Sequence, residues 1–493
     1  MSRLIVGPFN RVEGDLEVQL EVHAGVVREA RVNAPLYRGF ENMLCGRDPM
    51  DALTIVPRIC GICSVSQSVA AAKALADAAG VVPPPNGQLA INLMLACENL
   101  ADHLTHFYLF FMPDFTRPVY AGRSWYARAK TRFSAPGGDG IRDMLAARAR
   151  WFSLIGTLGG KWPHTGAVLP GGTSRALEPN EVLRMLAKVR EMRRFLELEL
   201  FGTSLEAVTG LQTLAALDAW RGQAPGSDFA LFLDIADDAQ LNTLGPGPGR
   251  FLSYGAYGAY DAYGAYATFA PGVWSADSSA VSPLNVSTIT EDARYAWLDD
   301  EQGALHPSHG VTKPLAEKDA AYTWNKAPRL NGQTVETGAI ARQMVDGQAL
   351  VRAAVAAHNV AAGTVGTRVL ARLLEVARIV PLMEQWLGAL QPREPFHRAY
   401  QMPDFAQGVG LSEAARGALG HWLRIEHGKL SSYQIVAPTS WNFSPRDSAG
   451  VPGALEAALV GAAVARDGEA PGESVAVQHI VRSFDPCMVC TVH

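Results

Sequence analysis

The chain has 493 residues and a mass of 52.8 kDa, with 48% hydrophobic and 18% charged residues, enough apolar material for a large core and too much for a disordered chain. Lysine plus arginine number 43 against 48 acids, a formal charge of −5, so the balance offers no electrostatic case for nucleic acid as the main partner. No apolar run reaches the roughly 18–20 residues that span a bilayer, and a start with no apolar h-region and an acid at Glu13 argues against a secretory signal peptide.

In chain order, residues 15–23 alternate strictly, with Leu16, Val18, Leu20 and Val22 on one face, and Ala24-Gly25 then turns into VVREARVNA. This spacing predicts a half-exposed β-hairpin over about 15–33. Asp48-Pro49 reads as N-cap and first residue of a helix over 50–56, and a second helix is expected over about 66–79, stopped by Gly80. Residues 86–112 read as one long apolar helix carrying Asp102, His103 and His106, and further helical stretches fall near 138–157, 179–201, 207–219 and 339–390. Such lengths exceed the usual helix and suggest a bundle. Between them, Tyr254, Tyr257, Tyr260, Tyr263 and Tyr266 recur every third residue among glycines over 251–271, read here as an irregular packed loop. Residues 415–440 end in two short strands joined at His427-Gly428, followed by Pro438-Thr439-Ser440-Trp441-Asn442. No domain linker stands out. The expectation is one mainly α (α+β) domain over 1–493, a long-helix bundle with small peripheral sheets.

The six cysteines are too few for a disulfide scaffold in so long a chain. Four of them form two C-x-x-C pairs, Cys60/Cys63 and Cys487/Cys490, with 423 residues between the pairs. C-x-x-C aims two thiolates at one metal with little backbone strain. Closing so long a loop costs roughly 5 kcal/mol more than a trivial one, which a structural zinc at about 10–16 kcal/mol could cover. Spacing alone leaves a structural zinc, an iron–sulfur cluster and a catalytic metal open.

The flanks are more specific. Arg11-Val12-Glu13-Gly14, Arg38-Gly39-Phe40-Glu41, Arg58-Ile59-Cys60-Gly61-Ile62-Cys63, Gly159-Gly160-Lys161-Trp162-Pro163-His164 and Lys326-Ala327-Pro328-Arg329 occur in that order. They continue with Ala415-Arg416-Gly417, the Pro438–Asn442 loop and Asp485-Pro486-Cys487-Met488-Val489-Cys490-Thr491-Val492-His493. Together, from Arg11 to His493, the chain resembles the large subunit of nickel–iron hydrogenases. The resemblance implies nickel held by all four thiolates, Cys60 and Cys487 terminal, with Cys63 and Cys490 bridging to an iron that carries two cyanides and one carbon monoxide; soft sulfur suits both metals. Heterolysis of H2 needs an acceptor for the hydride and a base for the proton, and the resemblance implies a terminal thiolate, Cys487 among the catalytic groups, with Glu13 next in the proton path. Arg416 matches an arginine above the open coordination position, oriented by Asp102 and Asp485. Thr439 and Arg416 match donors to the cyanides. Glu41, the carbonyl of Ile435 and His493 match a buried magnesium site that would pin the tail over 479–493. His103 and His106 are expected to support packing, and His164 to face the nearest iron–sulfur cluster of a partner. Cys45 and Cys97 match no ligand position and read as buried free thiols. With all paired cysteines used, the iron–sulfur clusters are expected on a separate small subunit.

Four positions depart from most of the family. Gln67 replaces a histidine, and Ile62 and Phe110 replace the smaller Val and Leu at the mouth of the gas channel. Ala415 also replaces a proline. The glutamine and the bulky pair resemble the regulatory, H2-sensing hydrogenases, which implies an oxygen-tolerant sensor of low turnover, cytoplasmic, a heterodimer or dimer of heterodimers, signalling to a histidine kinase. The other readings are a cytoplasmic uptake enzyme and a non-catalytic zinc or iron–sulfur scaffold.

Overall fold

The computed structural model describes residues 2–261, 264–391, 393–464 and 474–491. At the start, Ser2–Val6, Glu17–His23 and Val26–Asn33 form an antiparallel sheet in sequence order. The alternation expected over 15–33 holds: Leu16, Val18 and Leu20 are fully buried on the inner face, and Ala24 and Gly25 take the positive φ that a tight hairpin turn requires. Ser2–Val6 escaped the sequence reading because five residues carry too little pattern.

Helix Ser64–Ala79 ends at Gly80 in the left-handed conformation, as expected, and begins two residues earlier than expected, directly after Cys63. The expected helix over 86–112 is regular only over Pro85–Thr105. It then widens into a π-turn, His106–Phe111, in which Phe107, Tyr108 and Phe111 are all buried. The 50–56 stretch is a short turn capped by the Asp48 carboxylate followed by Ala52–Ile55. Residues 138–157 divide into Asp139–Trp151 and Ser153–Gly159, and 207–219 into Leu205–Thr209 and Leu214–Gln223. The 179–201 stretch is Pro179–Phe195 closed by a π-turn. The longest expected stretch, 339–390, is three helices: Ala339–Asp346, Ala349–Ala356 and Val365–Ala389. Gly347, left-handed at φ 86°, stops the first, and a Thr364/Thr367 capping box opens the last.

The stretch read as a loop over 251–271 is strand over its described residues: Arg250–Asp261 and Gly264–Ser275 pair antiparallel. Gly255 and Tyr257 both have positive φ and upset the two-residue alternation, so Tyr254 and Tyr257, three apart, are both buried. Tyr260, Tyr263 and Tyr266 have side chains outside the described residues. A further sheet, Ala406–Ala414, Gly417–Glu426 and Lys429–Val436, contains the two strands expected near 415–440 plus one more. It lies directly on helix Ser64–Ala79: a Cβ on Gly408 or Gly410 would meet the carbonyl oxygen of Ala74 or Ala70 at 2.0 Å. This contact and the terminal helix Val475–Ser483 bring both ends of the chain to one place. No helix among the described residues is long and apolar enough to cross a membrane.

Candidate metal centre

Cys60 follows the turn Val56–Ile59 in extended conformation, and Cys63 is the residue before helix Ser64–Ala79. Cys487 precedes the turn Met488–Cys490, which carries the fourth cysteine. All four Sγ atoms lie within 4.8 Å of one another, with Cys60–Cys487 at 3.4 Å, Cys63–Cys490 at 3.3 Å and Cys487–Cys490 at 3.1 Å. These separations exclude disulfides. The cluster is buried, its most exposed member being Cys63 at 7%. The thiol of Cys487 hydrogen-bonds Cys60 and pulls its pKa down, while the same neighbours push Cys63 up and burial pushes Cys487 up. Four sulfurs this close cannot all ionise in a dry interior without a cation among them. The donor set therefore fits soft metals and fits no hard ion.

Backbone contacts explain how pairs 423 residues apart meet. Glu13 runs parallel to Cys487: its N–H donates to Pro486 O at 3.2 Å and its carbonyl accepts from Met488 N at 2.7 Å. A Cβ on Gly14, at φ 80°, would stand 2.9 Å from Val489 N, so glycine is needed for this approach. Arg38 donates to the carbonyl of Ile59 at 2.6 Å and to that of Val489, one guanidinium joining both cysteine segments. Its role was invisible to spacing arguments, though it sits in a block quoted for the resemblance. Thr439 Oγ1 accepts from Cys487 N at 3.3 Å, which leaves its hydroxyl hydrogen free to donate. Burial, and then the Cys60 thiol, push the Glu13 carboxyl above its ordinary range.

Arg416 occupies the hairpin turn between Ala406–Ala414 and Gly417–Glu426, and is 3% exposed. Its Nη1 is 2.8 Å from Asp102 Oδ2, its Nη2 donates to Asp102 and Asp485 at 3.2 Å each, and its Nε donates to the Asp485 carbonyl at 3.0 Å. Burial works against the charge of Arg416, but Asp102, Asp485, Cys487 and Cys60 hold the proton on it. Burial raises Asp102; it acts in the same direction on Asp485, where Arg416 outweighs it.

The remaining expected residues fall as follows. Glu41 is buried and accepts from Ile435 N at 2.8 Å and from Thr312. Lys326 Nζ lies 3.3 Å from both Glu41 and Glu291 and 2.8 Å from Gln434 Oε1. Two buried carboxylates, Glu41 and Glu291, meet here, and burial pushes Glu291 up to about 7. Hard oxygen donors of this kind fit a magnesium ion. His493 lies outside the described residues. Gln67 Oε1 accepts from His421 Nε2 at 3.0 Å, and Tyr433 OH lies 2.8 Å from His421 Nδ1. Ile62 is half-buried against the apolar residues around the cysteines. Phe110 is half-buried in the π-turn outside that apolar group, its carbonyl taken by Arg11 Nη1 at 3.2 Å. His103 and His106 do support packing, through Glu375 at 3.2 Å and the Arg482 carbonyl at 2.7 Å. His164 is half-buried, with Nδ1 3.0 Å from Pro57 O. Cys97 is buried as expected; Cys45 is not, because the short helix Phe40–Leu44 turns it outward.

A model of the family described as nickel-dependent hydrogenase matches residues 38–131 and 142–493. The periplasmic [NiFeSe] hydrogenase large subunit of Desulfomicrobium baculatum is 30% identical, over all of this chain and 95% of that one. The hydrogenase-2 large chain of Escherichia coli K12 is 27% identical, over all of this chain and 97% of that one. The Ni-Fe-Se hydrogenase of D. vulgaris Hildenborough, solved in the reduced state, superposes with a TM-score of 0.85 at 28% identity, with full coverage of both chains.

Proposed function

The chain belongs to the nickel-dependent hydrogenase family, and from that premise we propose that it is the H2-activating large subunit of a regulatory, H2-sensing hydrogenase. The observation that carries H2 activation is the buried cluster of four cysteine sulfurs within 4.8 Å. Cys60, Cys63, Cys487 and Cys490 would hold a nickel–iron centre through their four sulfurs. Bound there, that centre supplies the hydride-accepting half of H2 cleavage. The chain's own residues supply the rest. A terminal thiolate sulfur takes the proton, and the Glu13 carboxylate, fixed through its backbone to the Cys487 segment, receives it next. Asp102 and Asp485 hold the Arg416 guanidinium, which with the Thr439 hydroxyl would donate hydrogen bonds to the diatomic ligands of that centre. Glu41, the Ile435 carbonyl and His493 would hold magnesium, which would anchor the tail.

Electrons leave through an iron–sulfur small subunit that docks over the Cys60–Cys63 turn and His164. Leu36 and Met43, 43% and 44% exposed beside Arg38, supply apolar surface for it. The sensor assignment rests on Gln67, Ile62 and Phe110. In a channel wall an added methylene and an added ring would narrow the passage, admitting H2 and hindering O2 at the cost of turnover. A cytoplasmic location and signalling to a histidine kinase, as a heterodimer or dimer of heterodimers, follow from that assignment. The competing reading is an uptake enzyme, the name carried by a relative from Azotobacter chroococcum.

Metal analysis with infrared spectroscopy tests the centre: nickel and iron with cyanide and carbon monoxide bands are expected, and zinc alone would sink the proposal. Turnover tests the sensor role. Slow H2 oxidation that survives air is expected, and fast oxidation lost in air would select the uptake reading.

A further inference from the structure

Beside the metal ligands and the Arg416 cluster, but part of neither, one buried carboxylate gathers five donors. Glu98 lies on helix Pro85–Thr105, one turn before Asp102, and is 2% exposed. Its Oε1 accepts from the N–H of Ser66 at 2.9 Å and from Ser66 Oγ at 3.1 Å. Its Oε2 accepts from the N–H of Val65 at 2.9 Å, from Ser64 Oγ at 3.3 Å and from Trp162 Nε1 at 2.9 Å. Val65 and Ser66 belong to the first turn of the helix whose N-cap is Cys63, and the Cys63 side chain makes no capping bond. Glu98 therefore supplies, from a neighbouring helix, the cap that a metal-binding cysteine cannot give, with acceptor oxygens on backbone and side-chain donors alike.

The same carboxylate reaches the other wall. Trp162 stacks on Phe152 with ring centroids 4.1 Å apart and opens the segment Trp162-Pro163-His164. His164 N donates to Ser64 Oγ at 3.2 Å, and a Cβ on Gly61 would stand 3.7 Å from Pro163. The Cys60–Cys63 turn thus packs against the 162–164 segment, and the helix start that follows it shares one acceptor with Trp162.

We propose that Glu98 is a positioning residue that couples the metal-binding turn to the face met by the electron-accepting partner, holding the Cys63–Ser66 helix start and the Trp162–His164 segment as one rigid piece. This rests on the reading above, in which His164 faces the small subunit's nearest cluster. Electron exit then keeps its geometry whenever the metal site keeps its own.

The test uses the purified heterodimer. D2/H+ exchange reads the metal site alone, and H2-driven dye reduction also reads electron exit. Glu98→Gln puts an amide NH2 against donors that need an acceptor. It should shift the cyanide and carbon monoxide bands and lower dye reduction about ten-fold relative to exchange, since small misplacements cost large factors in rate. Trp162→Phe keeps an aromatic ring against Phe152 and removes Nε1–H together with part of the indole; it should lower the same ratio about three-fold with the bands unmoved. Bands and ratio unchanged in both variants would overturn the proposal. Should Glu98→Gln lose its metals, Trp162→Phe decides, and an unchanged ratio there also overturns it. Absence of exchange in the unmodified heterodimer would instead overturn the hydrogenase reading, so the two failures are distinct.

Discussion

Replacing Asp114 with asparagine takes the charge from a carboxylate that solvent does not reach. Arg482 Nη1 lies 2.8 and 2.7 Å from its two oxygens, Arg11 pairs with Oδ1, and His479 Nδ1 lies 3.3 Å from Oδ2. Side-chain exposure is 0% for Asp114 and 1% for Arg482, so the asparagine variant leaves a buried guanidinium without its counter-charge, at a cost of about 3–5 kcal/mol. Arg11, at 23% exposure, is partly screened and adds little. Unfolding entropy near 2.1 cal/mol/K per residue over 493 residues makes this a fall in Tm of about 3–5 °C. Burial pushes Asp114 up, but Arg482, then His479 and Arg11, win and hold it well below the usual carboxylate range. A depressed folded pKa contributes stability that is present above the unfolded value of about 3.9 and lost as pH falls through the folded one. The gap between parent and variant should therefore be widest near neutrality and narrow below about pH 4. Calorimetry at a fixed scan rate measures it. A gap near zero at neutral pH, or one that widens in acid, would refute the charge argument.

Serine at Cys60, Cys63, Cys487 or Cys490 should abolish H2 activation, while Cys45→Ser and Cys97→Ser should not; near-normal H/D exchange in any of the first four would break the ligand assignment. Glu13→Gln keeps the backbone bonds to Pro486 and Met488 and so should keep nickel and iron. Its D2/H+ exchange should fall by about 10²–10⁴-fold, and a normal rate would remove Glu13 from the proton path. The double variant Ile62→Val/Phe110→Leu should oxidise H2 faster and lose activity in air. If O2 leaves it untouched, the channel argument fails.

The metal ligands were legible because their identity and flanks carry the signal: two C-x-x-C pairs need no structure to suggest convergence. The N-terminal hairpin was legible because Leu16, Val18, Leu20 and Val22 obey one period. The strands near 254 were not, since positive φ at Gly255 and Tyr257 replaces the two-residue period by the three-residue tyrosine spacing. The breaks within 339–390 had a local signal in Gly347, outweighed by the apolar run on either side. The buried acids were beyond reach for another reason. Asp114 meets Arg482 across 368 residues and Glu98 meets Trp162 across 64, and no local pattern in either segment marks the other as its partner. The resemblance could not supply them either, because it carries over only residues that match a motif.

Cys60 and Cys487 touch across 427 positions of sequence. At about 5–20 residues per second, a ribosome delivers the second pair roughly 20 to 85 seconds after the first. Throughout that interval Cys60 and Cys63 are half a ligand set, open to whatever soft ion or oxidant the surroundings hold, and Glu13 has no Cys487 strand to lie along. Four sulfurs exist together only once synthesis has passed Cys490, so loading the metals belongs at the end of biosynthesis. Order in time thereby does part of the work of selectivity: an ion that comes early meets two thiols, and one that comes late meets four.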